Sequence, residues 1–161
     1  MLAPWADCLY ACDLRWWAKR SPSDAQFPGL RLTQDAAAAA RHGAIYVRSE
    51  TGVGLCREPM VVNQGLNSGY QALNLAYHLG ASRVLLLGYD MQVQPDRSHF
   101  FGDYPVGSGL QVPSPYRDFV ARFGPLARDL AAAGVEVVNC STNTALECFR
   151  RGSIFTELEP L

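Results

Sequence analysis

The stretch "SRVLLLGYD" (residues 82–90) sets four aliphatic side chains in a row, Val84 to Leu87, with no polar residue between them. Successive side chains on a strand point to opposite faces, so an unbroken apolar run asks for cover on both. Strands of that kind belong to parallel sheets with helices packed on each side. The residues just before them supply such a helix. "NSGYQALNLAYHLGA" opens on a polar turn and places Ala72, Leu73, Ala76 and Leu79 at one-face helical spacing. The spacing predicts a helix over 68–79, closed by Gly80.

The remaining segments alternate in the same way. "DCLYAC" (7–12) reads as a short strand, followed by a helix that starts at "DLRWWAKR" with Asp13 as its N-cap. "LRL" (30–32) is a weak strand. "TQDAAAAARHG" is a short helix capped by Thr33 or Asp35 and stopped at Gly43, and "AIYVRS" (44–49) is a third strand. Residues 50–66 are Gly-rich and read as irregular. "PYRDFVARFGPLARDLAAAG" (115–134) is a helix, or a pair broken at Gly124-Pro125. "VEVVNCS" is a buried strand, "TNTALECFRRG" a last short helix, and "SIFTELEPL" a tail that adds a final strand. This order predicts one α/β domain over residues 1–161, a Rossmann-like, mostly parallel sheet with helices on both faces. Residues 91–114 are polar, rich in Gly and Pro, and without periodicity; so long a loop in a compact domain points to an active-site or lid segment.

Composition excludes several classes of function. A chain of 161 residues, 48% hydrophobic, suits one ordinary core. Net charge is −1 with Lys and Arg scattered, so nothing suggests a nucleic-acid partner. No apolar run is long enough for a membrane span, and the opening residues lack the charged start and apolar core of a signal peptide, which points to a soluble, cytoplasmic protein. Cys8, Cys12, Cys56, Cys140 and Cys148 form no CxxC pair, and the three histidines complete no zinc pattern, so no metal site is read from them. The thiols read as small apolar residues of a reducing compartment, and Trp5, Trp16 and Trp17 as packing residues.

Ligands of open α/β sheets sit beyond the carboxyl ends of the strands. Along that edge the sequence places Asp13, Ser49, Glu50, Asp90, Asn139 and Ser141. The Asn67-Ser68-Gly69 turn lies on the same edge, at a helix N-terminus whose free N–H groups and dipole favour a phosphate or carboxylate. The same turn also reads as a Ser68 N-cap with Gly69 in the first turn, serving stability only. No Walker A loop and no G-x-G-x-x-G is present. In "DRSHFFGDYP" (96–105), Asp96, His99, Asp103 and Tyr104 sit among aromatics, and His99 is the side chain suited to proton exchange near neutral pH.

Three segments together resemble a known family. "NSGYQALNLAYHLGASRVLLLGYDM" resembles the core of the bacterial CMP-sialic-acid-dependent sialyltransferases, "SHFFGD" resembles their S-H-Y-x-G-H stretch, and "ARDLAAAGVEVVNCSTNTAL" is similar to their closing helix, strand and Asn/Ser turn. The same core occurs in MptE-like 6-hydroxymethylpterin diphosphokinase relatives and in phage and prophage proteins. The resemblance covers roughly residues 64–150 and implies a nucleotide- or nucleotide-sugar-dependent transferase. Asn67, Ser68 and Gly69 would then lie against the nucleotide phosphate or donor sugar, with Asp90 closing the nucleotide side. Gln92 stands where the family has a tyrosine that helps the leaving phosphate. Asp103 stands at the catalytic histidine, with His99 at a second family histidine. Asn139, Cys140 and Ser141 match the turn that helps hold base and ribose. A diphosphokinase would need Mg²⁺, for which Asp90, Asp96 and Asp103 are the available oxygen ligands. The third alternative is a non-catalytic, degenerate Rossmann-like module. The family opens with a strand and a G-x-G-P-S turn, whereas "MLAPWADCLYACD" resembles the segment after that turn, which implies that the first family strand lies outside this chain. An edge left open in that way could be covered by a second copy, making a homodimer.

Overall fold

The computed structural model describes residues 3–19, 27–93 and 116–159. Eight strands and five helices are found among them: β1 (Cys8–Tyr10), α1 (Leu14–Lys19), β2 (Leu30–Thr33), α2 (Ala36–His42), β3 (Ile45–Tyr46), β4 (Arg48–Glu50), β5 (Val61–Asn63), α3 (Ser68–His78), β6 (Arg83–Leu86), α4 (Tyr116–Ala132), β7 (Glu136–Asn139), β8 (Arg150–Arg151) and α5 (Ile154–Glu157). Every strand pair is parallel. The fold is thus the mixed, Rossmann-like α/β arrangement that the alternation predicts. None of the helices is long and apolar enough to cross a membrane, among the described residues.

The strands form three small sheets rather than one, in the orders β1-β2-β3, β4-β5 and β6-β7-β8. The first two are nearly continuous. Only Val47 separates β3 from β4, and its N–H donates to the Thr33 carbonyl, so one extended segment passes from pairing with β2 to pairing with β5. Two half-sheets result, β1 to β5 and β6 to β8. Among the described residues no strand pairing joins them.

The first half is built from short pieces. Asp35 caps α2 by accepting from the Ala38 N–H at 2.9 Å, and Gly43 closes it in the left-handed conformation. Trp17 is buried and donates its indole N–H to the Ala11 carbonyl, with His42 stacked on its ring. In the second half α4 runs unbroken through Pro125, so of the two alternatives for this segment the single helix is the one found. Phe123, Leu126 and Leu130 of α4 are buried against Leu86, Val137 and Phe149.

Five expectations are corrected. Residues 61–63 are a fully buried strand, not part of an irregular stretch; Val-Val-Asn is too short to show a period. The segment 142–152 contains no helix but ends in β8, and the tail forms α5 rather than a strand. Helix α3 buries Tyr70, Gln71, Leu73, Asn74 and Leu75, while Leu79 is exposed, so its inner face is wider and more polar than the apolar spacing suggests. Finally, β6 is not covered on both faces. Only Leu86 is buried, Val84 and Leu85 are half-buried, and Leu87 is 59% exposed.

Candidate functional site

The ends of β1 and β6 meet at the start of helix α3: Cys12, just after β1, and Tyr89, just after β6, both hydrogen-bond to its first turn. The carboxyl ends of parallel strands are where a ligand crevice usually lies. Helix α3 begins there. Its N-cap is Asn67, whose side-chain oxygen accepts from the Tyr70 N–H at 2.8 Å while its amide donates to the Gly65 carbonyl. Ser68 is therefore the first helical residue. Its hydroxyl accepts from the Cys12 N–H at 3.2 Å and donates to Cys12 Sγ at 3.0 Å, which ties the helix to the end of β1. The N–H groups of Ser68 and Gly69 have no partner among the described residues, as expected for the first turn of a helix.

Gly69 is required where it stands. A Cβ there would come within 2.9 Å of the Tyr89 ring, and the Tyr89 hydroxyl donates to the Gly69 carbonyl at 3.0 Å. This contact ties α3 to the end of β6 as Ser68 ties it to β1. Gly65, with φ of 51°, packs directly on the Tyr70 ring, where a side chain would clash. Two residues with side chains are held in the left-handed region beside the crevice: Leu66 (φ 68°), next to the Asn67 cap, and Met91 (φ 50°), next to Asp90. Such backbone is disfavoured by about 1–2 kcal/mol per residue. Strain of this kind gathers at binding turns.

The remaining sequence-predicted residues divide into three groups. Asp90 stands half-buried beyond β6, its carbonyl accepting from the Ala145 N–H, and its carboxylate lies close enough to Tyr116 to raise the phenol's pKa, after burial. Gln92 follows two residues later, half-buried. Asp13 is exposed and accepts weakly from the Cys12 thiol. Asn139 and Ser141 are buried and already engaged. Asn139 accepts from the Ser141 N–H and donates to Thr144 Oγ1, and Ser141 Oγ accepts from the Tyr89 N–H at 2.7 Å. Their polar atoms hold the turns after β6 and β7 together. His99 and Asp103, with Asp96, lie outside the described residues.

Several residues at this edge carry no motif and were missed. Tyr10 donates to Gln71 at 2.8 Å, and Gln71 in turn donates to the Gln64 carbonyl and to Gln34. Burial, then the nearby Cys12 and Asp13, drive the Tyr10 phenol far above its ordinary range. Burial pushes the Cys12 thiol up to about 11 and the Tyr89 phenol up to about 12. Neither is a nucleophile or base near neutral pH; both act as neutral hydrogen-bonding groups. Only their position beside the predicted helix start could have flagged them. Among the described residues no three His, Cys, Asp or Glu side chains converge as a metal site. Comparison with protein-family models, curated proteins and solved structures returns no match.

Proposed function

We propose that the chain is a nucleotide- or nucleotide-sugar-dependent transferase of glycosyltransferase-like type, whose donor phosphate sits on the first turn of α3. One observation carries this reading: among the described residues the Ser68 and Gly69 N–H groups have no partner, and they stand where the ends of β1 and β6 meet, with Gly69 lacking a side chain toward Tyr89. Two aligned donors and the positive helix end stabilise the charge that develops on a leaving phosphate. Asp90 and Gln92, at the end of β6, would face the donor's nucleoside or sugar. Asp103 or His99 would take the acceptor's proton.

A second reading is a nucleotide-binding module without catalysis. It is favoured by Ser68 Oγ, Asn139 and Ser141, whose side chains are all engaged in holding the protein together. A diphosphokinase is the neighbouring enzymatic alternative and differs by requiring Mg²⁺.

Thermal-shift titration with CMP, CMP-sialic acid, UDP-sugars, ATP and GTP, each with and without Mg²⁺, separates these readings. A ligand at about 100 times its Kd stabilises the folded state by about 2.7 kcal/mol. Ser68→Pro removes one of the two donors yet suits a first helical position, and Asn67 already holds the extended conformation (φ −153°, ψ 154°) that a residue before proline needs. Ser68→Ala keeps the N–H and removes the hydroxyl. The expected result is a shift with one nucleotide class that survives Ser68→Ala and disappears in Ser68→Pro. A shift that persists in Ser68→Pro moves the phosphate elsewhere; no shift with any ligand removes the transferase reading. Donor turnover in the same samples distinguishes enzyme from binding module, and a strict Mg²⁺ requirement with ATP favours the diphosphokinase.

A further inference from the structure

We propose that a row of uncharged polar side chains at the carboxyl edge of β1 to β5 binds the neutral, hydroxyl-bearing sugar of the donor, beside the phosphate on the first turn of α3. This inference rests on the transferase reading and adds the class of sugar. Under α3, the first half-sheet turns Cys8, Leu32, Val47 and Val62 to one face, where they pack with Leu75. Same-face positions on a strand are two residues apart. Two residues beyond each of these side chains stands an uncharged polar one: Tyr10, Gln34, Ser49 and Gln64. All four are half-buried. Gln71, one turn into α3 from Ser68, is 1% exposed and links them. It accepts from the Tyr10 hydroxyl at 2.8 Å, and donates to the Gln64 carbonyl at 2.8 Å and to Gln34 Oε1 at 3.2 Å. Gln64 Nε2 lies 3.5 Å from Ser49 Oγ. An apolar residue at each of these places would extend the core. The switch to polar residues on every strand, with a fully bonded amide buried beneath it, instead holds polar atoms in fixed directions.

The direction of these bonds fixes what the row can hold. A main-chain carbonyl only accepts, so the Gln64 carbonyl draws the Gln71 nitrogen to itself and leaves the Gln71 oxygen for Tyr10. Gln34 then offers its oxygen to Gln71, and both of its N–H donors are unengaged among the described residues. The Tyr10 oxygen, having donated, keeps lone pairs that can accept, and Gln64 Oε1 is a second acceptor unengaged among the described residues. A phosphate or carboxylate accepts but cannot donate, and would satisfy Gln34 alone. A sugar hydroxyl does both. Charge points the same way. The row contains no cation, and Arg48, next to Ser49 in the chain, pairs with Glu50 and Glu58. After burial, the charges of Cys12 and Asp13 raise the Tyr10 phenol further, so the field at this end is negative. An anionic sugar is disfavoured in such a field. Tyr10 is two residues before Cys12, whose N–H donates to Ser68. The row therefore borders the proposed phosphate position on the β1 side and leaves Asp90 and Gln92 to the nucleoside.

The test follows the side-chain amide signals of Gln34, Gln64 and Gln71, and the backbone amides of Ser68 and Gly69, by heteronuclear NMR. The probes are glucose, galactose and N-acetylglucosamine, with N-acetylneuraminate as the anionic counterpart, and inorganic pyrophosphate. We expect at least one neutral sugar to shift the Gln34 signal saturably, and N-acetylneuraminate to bind at least about tenfold more weakly. Gln34→Glu keeps the oxygen that Gln71 needs and replaces the outward N–H donors by an acceptor. Sugar affinity, now read at Gln71, should fall at least about tenfold. Gln34→Met removes the same donors without adding charge; it should weaken the sugar equally and leave pyrophosphate binding at Ser68 and Gly69 within about twofold. No saturable shift with any neutral sugar, equal or tighter binding of N-acetylneuraminate, or unchanged sugar affinity in both variants would each overturn the proposal. Pyrophosphate separates the two levels: its shifts at Ser68 and Gly69 persist if only the sugar assignment is wrong, and are absent if the phosphate reading beneath it is wrong.

Discussion

The two halves of the molecule are built to different standards. Around β6 to β8, ten buried apolar residues form one cluster, with Phe123 at the centre of edge-to-face contacts with Tyr70, Tyr89 and Phe149. Around β1 to β5 the buried apolar residues fall into two clusters of four and three. The reason lies in the helices. α4 brings phenylalanine and leucine to its sheet, whereas α2 is five alanines and two basic residues, which fill little volume. The half with the sparser apolar core carries directed polar contacts as well. Asn74, fully buried, accepts from the Cys56 and Asn63 N–H groups and donates to the Cys56 carbonyl. Tyr70 exchanges hydrogen bonds with the Gly54 main chain. Large apolar volume in one region and directed hydrogen bonds in the other are two routes to the same order.

The contrast can be broken at its strongest point. Phe123→Ala should cost about 3–5 kcal/mol in denaturant unfolding, because the surrounding rings cannot collapse into the space. Leu32→Ala, in the sparser cluster, should fall near the low end of the leucine range, about 2–3 kcal/mol. The opposite order would mean that the halves share one core. Asn74→Ala should cost about 1–3 kcal/mol, the penalty of leaving buried main-chain groups unpaired. Its effect should concentrate in hydrogen exchange of residues 54–63; uniform loosening of β6 to β8 would contradict the division.

The smallest effect is expected at the opposite end of the second half-sheet. There Arg83 and Arg150 both pair with Glu136 and Glu157, with Arg150 within 2.7 Å of each carboxylate. The Arg150 hydrogen bonds, then its charge and that of Arg83, hold both carboxyls below their ordinary range. A carboxyl depressed in the folded state adds stability above its ordinary pKa and loses it as pH falls through the folded value. Glu157→Gln should therefore lower the melting temperature slightly at neutral pH. The difference should vanish in acid and in 1 M salt, where the Debye length is about 3 Å. A difference that persists in acid would assign the stabilisation to packing.

Much of the chain was legible because its punctuation is chemical: Asp35 and Gly43 bracket α2, and Gly80 closes α3, although the α3 cap is Asn67 rather than Ser68, one residue earlier than the sequence reading. What failed was short or depended on distant partners. Val61–Asn63 has no room for a period, and its strand identity comes from pairing with β4. β8 is two arginines placed by β7. The buried Gln71 and Asn74 look like an outer helical face until their main-chain partners are known. At the candidate site the helix start and Asp90 could be read directly. The commitments of Ser68, Asn139 and Ser141 to neighbouring backbone could not, since the groups they bind lie two to 56 residues away.

Helix α3 belongs to both halves, with Leu73 in one cluster and Leu75 in the other. It is the element through which loosening in one half is felt by the other, and so it sets the cooperativity of unfolding. A ligand gripping its first turn would add its binding energy to a single shared beam. With ligand bound, the halves should melt in one transition. With the first turn left free, the sparser half is the one positioned to open first.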